Sequence, residues 1–135
     1  MLQTYGHGLK TNSTKERLMS SRFPEDDLQM ATARYLDVMG LLWCHVANER
    51  KTTKQAGARL KKKGVKSGVP DCMVFEPRGK FNGLAIELKI KPNAPTVNQK
   101  NWLKRLELKK WHGVVCYNMD QVIEVVDLYL KKEIE

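Results

Sequence analysis

The sequence lacks the features that would place it in a membrane, in an oxidising compartment or among common nucleotide-binding and zinc proteins. No apolar run approaches the length of a transmembrane helix, and the N-terminus has no signal-peptide pattern. The three cysteines, Cys44, Cys72 and Cys116, are far apart in apolar runs, which indicates buried free thiols and not a disulfide framework. There is no glycine-rich phosphate loop and no zinc-ligand spacing. We therefore predict an intracellular protein that does not associate with a membrane.

Acidic residues are scarce relative to basic ones. The 135 residues include 24 Lys and Arg against 15 Asp and Glu, a net charge of +9. This excess favours a polyanionic partner, and nucleic acid ahead of an acidic membrane. A run such as 61–63 can also be only a solvated face. The candidate nucleic-acid contacts are Arg50, Lys51, Arg59, Lys61, Lys62, Lys63, Lys66, Lys91 and Gln99.

The most informative pattern is Pro70-Asp71 followed by Glu87-Leu88-Lys89. The segment between them predicts a β-hairpin with its turn at 77–83, which folds Asp71 back toward Glu87. Alternation along the second strand predicts that Glu87 and Lys89 share a polar face with Ala85. Two carboxylates and an ammonium then converge, as a divalent metal beside a phosphodiester requires. Taken singly, Glu-x-Lys is typical of the solvent-exposed face of a sheet, and Pro-Asp is typical of a turn.

Hydrophobic periodicity and turn signals predict elements in the order αβαββαβα. The predicted helices lie at 24–40, 53–63, 96–110 and 120–132, and the strands at 41–46, 72–75, 84–90 and 114–117. This order predicts an α/β domain over 23–135, with a mixed central sheet flanked by helices, after a flexible arm at 1–22. We predict that Trp102 packs in the core. The predicted apolar stripe of the first helix is Leu28, Ala31, Tyr35, Val38 and Leu42.

In combination, the motifs resemble the virus-type replication-repair nuclease (VRR-NUC) domain of the PD-(D/E)xK nuclease superfamily. They are Gly68-Val69-Pro70-Asp71, Glu87-Leu88-Lys89, and Thr96-x-x-Gln99 at the start of a helix. Further matches are Glu25-x-x-x-Gln29, Asn48-Glu49 and Gly57-Ala58-Arg59, so the resemblance covers most of 24–130.

The resemblance implies a restriction-endonuclease-like core and Mg²⁺- or Mn²⁺-dependent cleavage of branched DNA, in the manner of a Holliday-junction resolvase. It also implies a homodimer in the cytoplasm of a bacterium or a phage-infected host cell. By resemblance, Asp71 and Glu87 bind metal with Glu25 and the backbone carbonyl of Leu88, and Lys89 completes the catalytic set. Glu25 is equally explained as an acid at a helix N-terminus. Possible accessory residues are Gln29, Asn48 and Glu49.

Two alternatives remain at this stage. One is a non-catalytic DNA- or RNA-binding module, in which the carboxylates are ordinary surface groups. The other is a nuclease of the same superfamily that acts on linear or flap DNA. A binding module should bind nucleic acid equally well in a chelator and never cut it, whereas either nuclease requires the metal.

Overall fold

The computed structural model describes residues 22–47 and 53–134. The helices are α1 (Pro24–Val38), α2 (Lys54–Lys62), α3 (Val97–Leu108) and α4 (Met119–Leu130), and the strands are β1 (Trp43–His45), β2 (Cys72–Val74), β3 (Gly83–Leu88) and β4 (Trp111–Cys116). The order αβαββαβα is the predicted one. The predicted arm, apart from Arg22, and the candidates Asn48, Glu49, Arg50 and Lys51 lie outside the described residues.

The four strands form one mixed sheet in the order β1-β2-β3-β4. β1 pairs with β2 and β2 with β3 in antiparallel fashion, whereas β3 and β4 are parallel. A tight hairpin can join only antiparallel strands, and α3 provides the crossover that a parallel pair requires. Cys72 pairs with Ile86, so the register brings the residues just before β2 to the far end of β3.

Helices cover both faces of the sheet. Leu84, Ile86 and Leu88 lie in the main core with residues of α1 and α4. Gly113 of β4 faces α3, since a Cβ at this position would lie 3.0 Å from Leu103 Cδ2. The fold is therefore an α/β sandwich with a mixed central sheet, as predicted.

The prediction of a polar face on β3 is wrong. All six residues of the strand are buried, and Ala85 is as inaccessible as its apolar neighbours. α3 covers the face that alternation assigned to solvent, and β4 pairs along the edge of β3. A strand enclosed on both faces is typical of parallel pairing. Glu87 consequently lies in the interior, where its charge is costly.

Several local predictions also need correction. β1 and β2 are shorter than predicted, β3 ends at Leu88, and β4 begins at Trp111, ahead of the expected 114. Val38 and Leu42 are 85% and 67% exposed, because the buried stripe of α1 runs through Leu28, Thr32 and Leu36. Cys44 is exposed on the edge strand, whereas the other two thiols are buried.

Candidate active site

Asp71 is held where the 64–70 loop enters β2. The buried Pro70 precedes it, and the residue itself is only 7% exposed. Its Oδ2 accepts a hydrogen bond of 2.7 Å from the backbone N–H of Leu88. Its main-chain carbonyl accepts one of 2.9 Å from the N–H of Val46. The position of this carboxylate is thus fixed by β1 on one side and β3 on the other.

Glu87 lies one step beyond the Cys72–Ile86 pair, opposite Asp71. It is 1% exposed, and its Oε1 has no hydrogen-bond partner among the described residues. Its Oε2 lies 3.8 Å from the Nζ of Lys89, whose side chain is also largely buried. The structure therefore brings the three predicted catalytic side chains together, with one buried carboxylate oxygen left without a partner.

The electrostatics of this cluster are unfavourable for negative charge. Burial, followed by the charge of Asp71 and a hydrogen bond to it, raises the pKa of Glu87 to about 9. Lys89 lowers that pKa, but it does not offset burial and the neighbouring acid. Without a cation the pair therefore holds a proton at neutral pH, and a divalent cation would replace it.

Two of the predicted side chains, Glu25 and Gln29, lie on α1 near the Asp71–Glu87 pair. Glu25, half-buried in the first turn of α1, is close enough for its charge to raise the pKa of Glu87 further. It also lines a surface depression together with Lys91. Gln29, one turn along, donates from Nε2 to the Sγ of Cys72 at 3.5 Å. This contact places Gln29 against the strand that follows Asp71.

The donor set fits a hard cation that retains solvent or substrate ligands. In the described ranges, no three His, Cys, Asp or Glu side chains form a complete metal-binding group. Magnesium, however, is commonly bound through one or two carboxylates together with waters and substrate phosphates. Asp71 and Glu87 supply two such carboxylates, and the unpartnered Oε1 of Glu87 is an oxygen suited to that role.

The predicted basic residues that the structure describes lie mainly on the surface. No residue of α2 is buried, and the basic side chains Arg59, Lys61, Lys62, Lys63 and Lys66 are all exposed. The 64–70 loop connects this helix to Asp71. Lys91 is also exposed, with its Nζ 5.1 Å from the centroid of the Tyr117 ring.

Gln99 has a structural role. It forms a capping box at the start of α3, in which its Oε1 accepts from the N–H of Thr96 at 2.8 Å. A contact between Gln99 and nucleic acid stays a prediction.

Sequence reasoning missed one residue of the site. The Nδ1 of His45 lies 2.7 Å from the main-chain carbonyl oxygen of Asp71. Because a carbonyl only accepts, Nδ1 is the donor and carries the proton. His45 lies in an apolar run of an edge strand, and no local signal connects it with a residue in a later strand.

Solved structures resemble this fold. A "VRR_NUC domain protein" matches with a TM-score of 0.62 and 27% identity, over 79% of this chain and 88% of that chain. A "VRR_NUC domain" structure matches with a TM-score of 0.52 and 22% identity, over 78% of this chain and 96% of that one, which supports the fold. No family model matches the sequence, and the comparison with curated proteins finds no significant match.

The mixed sheet and the buried Asp71–Glu87–Lys89 cluster define a nuclease-type α/β domain. More particularly, the likeness to the solved VRR_NUC domain protein supports the VRR-NUC domain that the motifs indicated. Among the described helices, none combines the length and the apolar character needed to cross a membrane.

Proposed function

We propose that the protein is a metal-dependent DNA endonuclease that hydrolyses phosphodiester bonds, with a preference for branched DNA. The observation that carries this proposal is the buried Asp71–Glu87 pair beside Lys89, with one carboxylate oxygen unpartnered. A soluble binding module has no use for a buried acid pair that must be neutralised. An enzyme that binds a cation and a phosphate at this position does require such an acid pair.

Mg²⁺ or Mn²⁺ would be held by Asp71 and Glu87, with the backbone carbonyl of Leu88 and the Glu25 carboxylate as further ligands. When bound, such an ion supplies Lewis-acid stabilisation of the charge that develops on the phosphate oxygens. The hydrogen bond from Leu88 N–H to Asp71 Oδ2 leaves the other oxygen of this carboxylate for the ion. The same bond holds the Leu88 main chain beside the site.

Lys89 provides the positive charge of the protein at the reacting phosphate. Its ammonium lies 3.8 Å from Glu87 and can form a charged contact with a non-bridging phosphate oxygen or orient the attacking water. Water attacks phosphorus, and the bond to one bridging oxygen breaks. The products are one phosphate end and one hydroxyl end, with no covalent enzyme intermediate.

The exposed cations of α2 and the following loop would bind the DNA backbone, and Arg50, Lys51 and Lys91 are further candidates for contacts with it. Gln29, which contacts Cys72, is an accessory candidate, and Asn48 and Glu49 are accessory candidates by resemblance alone. We further propose a homodimer, which two symmetric cuts in a junction require, and an intracellular location in a bacterium or a phage-infected cell.

A cleavage assay in magnesium or in chelator tests the proposal on a four-way junction, a flap, a splayed arm and a linear duplex. We expect magnesium-dependent cutting that falls at least a hundredfold in Asp71→Ala, Glu87→Gln and Lys89→Ala, because each removes a group that touches the ion or the phosphate. Glu124→Gln, at an exposed position on α4, is the matched control and should retain wild-type rates.

Wild-type rates in any of the three variants, or equal cutting in chelator, would refute the assignment of a metal-dependent nuclease with these catalytic residues. Unchanged DNA binding in chelator without cutting under any condition would favour the binding module. Preferential cutting of linear or flap DNA would keep the nuclease and overturn the branched-DNA preference. Light scattering tests the dimer, and a strict monomer would contradict paired cutting of a junction.

A further inference from the structure

α3 and the 64–70 loop, which leads to Asp71, form a second depression of about 440 Å³. Its lining residues are Lys66, Ser67, Asn98, Asn101, Trp102 and Arg105. The loop and the helix are firmly joined here, since Asn98 Nδ2 donates to Ser67 Oγ at 2.8 Å. The depression therefore lies at a contact between α3 and the loop that a side-chain hydrogen bond holds in place.

The side chains from α3 follow helical spacing. Asn98, Asn101, Trp102 and Arg105 recur at intervals of three and four residues and therefore share one face. Leu103 points instead to Gly113 of the sheet. Trp102 is half-buried and lies outside the main core cluster, so the prediction that it is a core residue is wrong.

The chemistry of this face matches a nucleobase more closely than a bare phosphate. Arg105 lies over the Trp102 ring, with its Cζ 5.7 Å from the centroid, and together they offer an aromatic and cationic surface. The carboxamides of Asn98 and Asn101 are groups that hydrogen-bond to base edges. An aromatic ring combined with cations and amides is the pattern by which proteins hold unpaired bases.

The depression adjoins the loop that carries Asp71. Gly68, which adjoins Ser67, is separated from Asp71 by only Val69 and Pro70. The Cα atoms of Gly68 and Asp71 are therefore at most about 11 Å apart even in a fully extended chain. The depression is therefore connected to Asp71 by a short segment of the 64–70 loop.

We infer that this depression binds one unpaired nucleotide of the DNA substrate, with its base against Trp102 and Arg105 and its phosphate near Lys66. The base must be unpaired, because the faces of a paired base are covered by its stacked neighbours. This inference rests on the proposed function and sharpens it. It selects forks and flaps, which present single-stranded DNA next to a duplex, over fully paired DNA.

The test measures binding in chelator, where no cutting occurs, to a splayed-arm DNA and to a linear duplex of equal length. We expect Trp102→Leu to weaken splayed-arm binding by about tenfold, the typical effect of losing one stacked base, and duplex binding by less than twofold. Trp102→Phe retains an aromatic face and should restore most of the affinity. Trp43→Leu, which removes an indole from β1, is the matched control and should affect both DNAs equally little.

A second measurement uses the wild-type protein and 2-aminopurine placed in turn at each unpaired position of the arm. We expect the fluorescence to change at one position of the arm, and Arg105→Ala to reduce that change. This measurement decides the matter if Trp102→Leu does not fold. Equal losses on both DNAs, no loss on either, or a fluorescence change that is uniform along the arm overturns the inference.

The two proposals fail in different ways. If the protein cuts branched DNA in magnesium but Trp102→Leu behaves like wild type on every substrate, the nucleotide site is refuted and the nuclease stands. If no DNA is cut but the Trp102-dependent preference for the splayed arm persists, the nuclease is refuted and the nucleotide site stands.

Discussion

At the scale of the residue, Glu87 determines how the stability of the protein depends on pH. In the unfolded chain this carboxyl ionises near its ordinary pKa of 4.5, whereas in the folded protein burial and Asp71 raise the pKa to about 9. Between these two values the unfolded state loses its proton while the folded state keeps it. The contribution of Glu87 to stability is therefore complete below pH 4.5 and is lost as the pH rises toward 9.

We accordingly expect Glu87→Gln to stabilise the metal-free protein at pH 8, because the amide is neutral in both states. Each pKa unit corresponds to about 1.4 kcal/mol, so a gain of at least several degrees in Tm is expected at pH 8 and little gain at pH 5. Thermal unfolding in chelator from pH 5 to 9 measures the difference between variant and wild type. The contribution of His112 cancels in this difference because it is the same in both proteins. Burial lowers the pKa of His112, so its effect on stability has the opposite dependence on pH.

Glu124→Gln should leave the pH profile unchanged. A constant difference in Tm between Glu87→Gln and wild type across the pH range would show that Glu87 is already ionised in the folded protein. Added magnesium should reduce the slope of the wild type, since the ion binds the deprotonated pair.

At the scale of the element, the loop that enters β2 depends on Gly68. This residue has a φ of +88°, and a Cβ would lie only 2.7 Å from the carbonyl carbon of Asn98. Gly64 also has a positive φ, of +100°, but it has nothing within 4 Å of the Cβ position. The two glycines therefore share a backbone requirement, and only Gly68 has a packing requirement in addition.

We expect Gly64→Ala to cost about 1–2 kcal/mol, the usual penalty for a left-handed alanine, and to leave cleavage unchanged. Gly68→Ala should cost more and should also reduce cleavage, because the loop must move away from α3 and shift Asp71 with it. Urea unfolding and the cleavage assay measure both effects. Equal losses of stability in the two variants, with normal cleavage, would mean that the loop adapts without moving the carboxylate.

At the scale of the whole molecule, the positive charge is distributed between two ends of the sheet. Lys61, Lys62 and Lys63 lie next to the loop that leads to Asp71. At the opposite end, beside the β2–β3 turn, Lys109 and Lys110 contact Asn82 through their carbonyls, and Lys132 lies near Gly79. If DNA is bound at the carboxylate end, only the first group should contact phosphates.

The triple change of Lys61, Lys62 and Lys63 to Gln should weaken binding similarly for branched and linear DNA. It should also lower the slope of log K against log salt by up to about 2.7, since each lost phosphate contact contributes about 0.9. The same change at Lys109, Lys110 and Lys132 removes an equal charge and should alter the slope by less than about 1. Similar slopes for the two triples would indicate that only the total charge matters.

The sequence by itself determined the order of elements and the catalytic candidates. Pro24 with its acids, the Thr96–Gln99 capping box and the turn at 77–83 are local signals, so the helices and the hairpin were predictable. The hairpin register follows from the turn, and it alone brings Asp71 opposite Glu87.

Only the tertiary structure decided the environment of these residues. Alternation along β3 predicted a wet face, but β4 and α3, which follow later in the chain, enclose Glu87 and raise its pKa. The bond from His45 to Asp71 and the exposure of Trp102 beside the 64–70 loop likewise arise from contacts between distant segments. Burial and electrostatics depend on what packs against a residue, and local periodicity contains no information about that partner.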